Sequence, residues 1–181
     1  MNILYKGNYN KRFEHITGHI SGKNVTEICF GDTIIAEYCS KNKISWTGID
    51  INEGFVKKAL KKGYNARFAD VQNIDRFPAA DTCILSGSLY HFYTDVEGIL
   101  KKMLGCAPVI IISEPVVNLS NAKGIIGKLA KGSSTVKGKK QEFRFTADSL
   151  TNELSILSKK LNFSYKVIEQ FDKDLIIVIT K

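Results

Sequence analysis

The chain has 181 residues, 44% of them hydrophobic, with 26 basic and 18 acidic side chains giving a net charge of +8. That length allows one ordinary domain with a full core, expected to span 1–181, and is short for a domain plus a separate substrate module. No apolar run approaches the roughly 18 residues that cross a bilayer, and the four cysteines show no CxxC spacing.

Met1 to Gly7 is too short and polar for a signal peptide. Three of the cysteines, moreover, lie in or beside apolar runs, so buried thiols are expected rather than disulfides or a metal site. A soluble, cytoplasmic protein without a structural metal is the expectation. Tyr9 to Ile20 carries apolar side chains loosely at helical spacing (Tyr9, Phe13, Ile16, Ile20), predicting an N-terminal helical cap within 1–24 that packs on a sheet or covers a ligand. His15 and His19 would share a helix face as a metal pair would. With no third ligand in view, surface or partly packed histidines are expected.

Val25 to Phe30 is an apolar run that ends in Gly31-Asp32-Thr33, and a helical pattern (Ile34, Ile35, Tyr38, Cys39) begins at once. This predicts a buried strand feeding a helix. Ser45 to Asp50 is a second strand ending in a carboxylate, placed where an acid takes both hydroxyls of a ribose. The turn chemistry selects the ligand. A dinucleotide turn wants G-x-G-x-x-G so that backbone approaches a pyrophosphate, but Cys29, Gly31 and Ile34 hold those positions, and Asp32 would face the anion. S-adenosylmethionine (SAM) has adenosine without phosphate, and Glu27 and Asp32 would attract its sulfonium and ammonium. SAM is therefore expected over NAD.

Glu53 to Lys62 predicts an amphipathic helix stopped by Gly63, and Asn65 to Ala69 a short third strand. Asp70 follows, either as a ligand contact or as a turn aspartate capping the next segment. Asp81 to Leu85 predicts the fourth strand. Ser86 to Phe92 sits at its carboxyl end, where open parallel sheets bind ligands. Asp95 to Leu104 reads as a helix ended by Gly105, and Ala107 to Ser113 as a strand covered on both faces. Residues 119–145 carry seven basic side chains against one acid. They are either a solvated lysine-rich loop or a basic lid inserted over an anionic substrate or membrane surface. Thr146 to Asn162 predicts a helix, and Phe163 to Glu169 and Leu175 to Thr180 an antiparallel hairpin.

In this order the runs resemble the class I SAM-dependent methyltransferases. Glu27 to Thr33 resembles their first motif (acidic, x, Gly, x, Gly, x, Gly), with the middle glycine kept as Gly31 and the outer two replaced by Cys29 and Thr33. Gly48-Ile49-Asp50-Ile51-Asn52 resembles the ribose motif, Phe68-Ala69-Asp70-Val71 the adenine-side motif, Asp81 to Ser86 the fourth strand and Val109 to Pro115 the fifth. The resemblance covers roughly residues 25 to 115. It implies an α/β, Rossmann-like three-layer sandwich on a seven-stranded, mostly parallel sheet with an antiparallel C-terminal hairpin strand. It also implies SAM held by Glu27, Cys29, Phe30, Gly31, Asp32, Asp50, Ile51, Asp70, Val71, Ser86 and Gly87. Methyl transfer is an in-line displacement in which positioning does much of the work. For a hydroxyl acceptor a base helps. His91 is the first candidate, with packing around the cofactor as its alternative role, and Glu114 is the second.

Amino methyltransferases acting on DNA bases carry Asn/Asp-Pro-Pro-aromatic after the fourth strand, and Ser86-Gly87-Ser88-Leu89 is not that. A small, anionic or sugar-containing acceptor is therefore expected, with nucleic acid less favoured, although the basic segment would suit RNA phosphates. The competing readings are a methyltransferase-like binding protein without turnover, which Cys29 and Thr33 favour, and a NAD-dependent reductase, which Asp32 and the missing glycines disfavour.

Overall fold

The structure is a computed structural model that describes residues 9–116, 143–171 and 173–181. Its elements are α1 (Tyr9–Thr17), β1 (Asn24–Ile28), α2 (Ile34–Lys41), β2 (Ser45–Asp50), α3 (Glu53–Lys61) and β3 (Asn65–Phe68). There follow β4 (Thr82–Ser86), a 3₁₀ turn (Leu89–Phe92), α4 (Val96–Cys106), β5 (Val109–Pro115), α5 (Ala147–Leu161), β6 (Ser164–Phe171) and β7 (Asp174–Thr180). The strands form one seven-stranded sheet in the order β3-β2-β1-β4-β5-β7-β6. β7 runs antiparallel to both neighbours and the remaining contacts are parallel, the topology expected from the resemblance.

Helices cover both faces, which is why the central strands read as unbroken apolar runs. Successive residues of β5 serve opposite cores. Ile110 and Ile112 pack with Leu100, Met103, Leu150 and Leu154 of α4 and α5, whereas Ile111 packs with Phe13, Ile16, Ile35 and Val56 of α1, α2 and α3. Each such side chain, fully withdrawn from water, contributes about 1.5–3 kcal/mol of transfer free energy.

Local signals set the element ends. Asn52 caps α3 by accepting from the Gly54 and Phe55 amides, Asp95 caps α4 through Gly98, and Thr146 and Ser149 form a capping box on α5. Gly105 does not end α4 as the sequence suggested; it lies in the last turn. Pro108 ends the helix, because it forces Ala107 into extended backbone (φ −146°, ψ 150°). The N-terminal helix stops at Thr17, so His19 lies beyond it. His15 Nδ1 instead lies 2.6 Å from Glu169 Oε2 on β6. Cys39, Cys83 and Cys106 are buried, Cys29 is partly so, and all four are unbridged. No described helix is long and apolar enough to cross a membrane. Of the basic lid, residues 119–142 lie outside the described residues; Phe143, Arg144 and Phe145 are described.

Candidate active site

The carboxyl ends of β1 and β2 are tied into one unit by Asp50. Its Oδ2 accepts from the Gly31 amide (3.0 Å) and its Oδ1 from the Asn52 amide (2.7 Å). Its carboxyl is pushed above the usual range by burial, against the pull of those backbone donors. Gly31 has φ +58°, and a Cβ there would have nothing nearer than Phe55 Cε2 at 4.0 Å, so the turn opens onto free space. Cys29 also has a positive φ, +54°. A non-glycine residue in this region stores about 1–3 kcal/mol of strain, so the surrounding contacts impose it. The backbone at Cys29 thus takes the left-handed path that a glycine would adopt freely. Thr33, the other replacement, is buried, with its hydroxyl donating to Glu37 Oε1 (3.1 Å).

The acidic side chains of the turn are less available than charge counting suggested. Glu27 is fully buried; Trp46 Nε1 donates to its Oε2 (2.8 Å), and its Oε1 has no hydrogen-bond partner among the described residues. Desolvation pushes its carboxyl well above the ordinary range, opposed by the Trp46 hydrogen bond and the charge of Arg12. Its pull on a ligand cation is correspondingly weaker than that of an exposed carboxylate. Asp32 accepts from the Thr33 amide (2.7 Å) and lies 3.3 Å from Lys58 Nζ.

At the β3 end, Asp70 accepts from the Gln72 amide (2.9 Å) and from Asn73 Nδ2 (3.3 Å), so it organises its own turn. Val71 is buried, whereas Ile51 and Phe68 are exposed, an apolar rim at the carboxyl ends of β2 and β3. Phe30 is buried against Trp46 (5.2 Å between centroids, edge to face).

Across the sheet, Ser86 and Gly87 close β4, with Gly87 at φ +67° and its amide donating to Ser113 O (2.6 Å). Glu114 is fully buried and accepts from the Leu89 amide (2.8 Å) and the Tyr90 amide (3.2 Å), fixing the start of the 3₁₀ turn. Burial pushes its carboxyl up to about 8, against those two amides and Arg144. His91 sits in the same turn, partly buried, its ring 4.0 Å from that of Tyr90. Glu114 therefore supports the segment that carries His91. Three neighbours escaped the sequence reading. Arg144 lies 3.6 Å over the Tyr90 ring, Phe143 stacks on Tyr93 at 4.5 Å, and Arg12 of α1 donates to Ser86 Oγ (2.8 Å). Apart from Arg144 in the basic tract, nothing local flagged them, since each meets a residue distant in the chain.

A seven-stranded sheet in the order β3-β2-β1-β4-β5-β7-β6 with helices on both faces is the fold of the class I methyltransferases. No protein-family model matches the chain, and no curated protein matches it in sequence. Among solved structures, the chain is similar to the plantazolicin methyltransferase BpumL in complex with a pentazolic desmethylPZN analog and SAH. The TM-score is 0.73 at 16% identity, over 99% of this chain and 88% of that one. It is also similar to magnesium protoporphyrin IX methyltransferase (ChlM) from Synechocystis PCC 6803 with bound SAH (TM-score 0.68, 16% identity, 94% and 82% covered). A third similar structure is the methyltransferase domain of bacterial CtHen1 (TM-score 0.68, 12% identity, 96% and 99% covered). At these identities the likeness is one of fold.

Proposed function

We propose that this protein is a SAM-dependent methyltransferase acting on a small acceptor that is anionic or contains a sugar. The observation that carries the reading is the Gly31–Asp50–Asn52 linkage, which holds an acid and an open turn side by side at the ends of β1 and β2. The residues present fit the cofactor. Asp50 stands where a ribose would be held, the Gly31 turn leaves space, and Ile51 and Phe68 offer an apolar wall. SAM would supply a methyl group on a sulfonium, and the protein's share is then to orient the acceptor and keep water out. Solved neighbours that hold SAH support this reading.

SAH is expected to raise the melting temperature through mass action at concentrations where NAD does not, because the turn after β1 lacks the glycines that a pyrophosphate wants and carries Asp32. By calorimetry, Asp50→Ala should weaken SAH by at least about 1.5 kcal/mol, the order of a hydrogen bond to a charged acceptor. Equal affinities for the two proteins, or comparable shifts with NAD, would refute the assignment.

In this reading His91 takes the proton of a hydroxyl acceptor and Glu114 holds the turn that presents it. His91→Gln should lower turnover about a hundredfold or more while leaving SAH affinity unchanged. Retention of wild-type turnover by that variant would remove His91 from the chemistry and leave it a packing residue.

A further inference from the structure

Four polar side chains stand on one face of four adjacent strands at the same end of the sheet: Glu27, Ser86 and Ser113 toward the carboxyl ends of β1, β4 and β5, and Asp174 at the amino end of the antiparallel β7. Their face follows from period-2 alternation with Val25, Ile84, Ile111 and Val178, which all pack in the core beneath α1, α2 and α3. Ser86 and Ser113 are direct partners in the sheet, and Pro115 pairs with Asp174. Arg12 reaches this patch from α1. Its Nη2 donates to Ser86 Oγ at 2.8 Å, and its Nη1 lies 3.4 Å from Asp174 Oδ2. Among the described residues no other lysine or arginine is buried. Two atoms nearby, Glu27 Oε1 and Ser113 Oγ, are buried without a hydrogen-bond partner among those residues. The guanidinium also lies against Gly87, where a Cβ would sit 3.4 Å from Nη1 and 3.5 Å from Nη2.

The turn after β1 leaves an anion little to bind. The amide of Cys29 donates to Ile49 O, that of Gly31 to Asp50, that of Asp32 to Phe30 O and that of Thr33 to the Asp32 side chain. Four amides that a glycine-rich turn would offer to a ligand are thus engaged inside the protein. The methionine end of SAM nevertheless brings a carboxylate, which needs donors and a positive charge in a region otherwise populated by Glu27, Asp32 and Asp50.

Resting on the cofactor reading above, we infer that Arg12 binds the α-carboxylate of the cofactor, with Ser86 and Asp174 aiming its guanidinium and Gly87 leaving the approach clear. The N-terminal helix is then a wall of the cofactor site, and the engaged amides of the β1 turn are compensated by a side-chain cation. A planar fork held at two of its nitrogens suits bidentate carboxylate recognition.

The test is calorimetry with three ligands: SAH, its decarboxylated 3-aminopropyl analogue, and 5′-methylthioadenosine, which lacks the amino-acid end. Wild-type protein should bind SAH about tenfold or more tighter than the decarboxylated analogue, a comparison that needs no variant. Arg12→Met and Arg12→Lys should each reduce that difference, Met to near unity, while 5′-methylthioadenosine stays within about threefold of wild type. Equal wild-type affinity for SAH and the decarboxylated analogue would overturn the assignment. So would parallel losses of SAH and 5′-methylthioadenosine in both variants, the mark of a purely structural arginine. Wild-type protein that binds neither SAH nor 5′-methylthioadenosine would overturn the cofactor reading, and the role of Arg12 with it.

Discussion

Raising the pH from about 5 to about 8 is expected to lower the stability of the protein, and Glu114→Gln to remove a large part of that loss. Glu114 is buried, and desolvation raises its carboxyl from the ordinary 4.5 to about 8 in the folded state. Between those values the unfolded chain has released a proton that the folded protein keeps. Stability contributed by the protonated group is therefore complete below the unfolded value and is lost as the pH climbs through the folded one. Integrated over the window, the ceiling is about 5 kcal/mol. The groups facing Glu114 are the Leu89 and Tyr90 amides and Arg144, which favour the charged form, and Asp174, which opposes it. Glutamine cannot ionise, but its NH₂ would meet one of the two amides, costing about 1–3 kcal/mol at every pH. In denaturant titrations the variant should thus be the weaker protein at pH 5, with the gap narrowing toward pH 8. Parallel pH curves for the two proteins would show that Glu114 is charged in the fold. Glu27, raised in the same direction, leaves a residual slope in the variant.

Gly48→Ala is expected to destabilise the protein by about 3 kcal/mol, the upper end for overpacking a core. A Cβ at Gly48 would overlap the ring of Trp46 and lie 2.8 Å from Phe30 Cδ1. The indole has nowhere to go. Its Nε1 is held by Glu27 Oε2 at 2.8 Å, and its ring packs edge to face with Phe30 and Tyr64. Any shift that relieves the clash strips Glu27 of its hydrogen bond inside the core, where an unsatisfied polar group is costly. Gly105→Ala is the control: nothing lies within 4 Å of its added Cβ, and in a helical turn alanine should stabilise by up to about 1 kcal/mol. Similar unfolding midpoints for the two variants would mean that the Trp46 pocket is plastic.

Much of the scaffold was legible in the chain because it depends on local periodicity. Ile110-Ile111-Ile112 announces a strand covered on both faces, Asn52 and Thr146 announce helix starts, and Asp50 announces itself as the acid at the end of β2. The replaced glycines could not be judged that way. Cys29 suggests a lost turn, yet its φ of +54° keeps the backbone path, since the ends of β1 and β2 are clamped by Asp50 and by the Cys29 amide on Ile49.

Sequence by itself determined the order and type of most elements and the acids at the strand ends, for those follow from residue spacing over a few turns; the parallel sheet was implied only by the family resemblance. Tertiary structure alone decided which of these groups carry charge and which meet. Burial turned Glu27 and Glu114 away from their ordinary ionisation, and Arg12 found Asp174 across 162 positions of chain. Desolvation and the pairing of buried charges are properties of the assembled core, and no local pattern of residues encodes them.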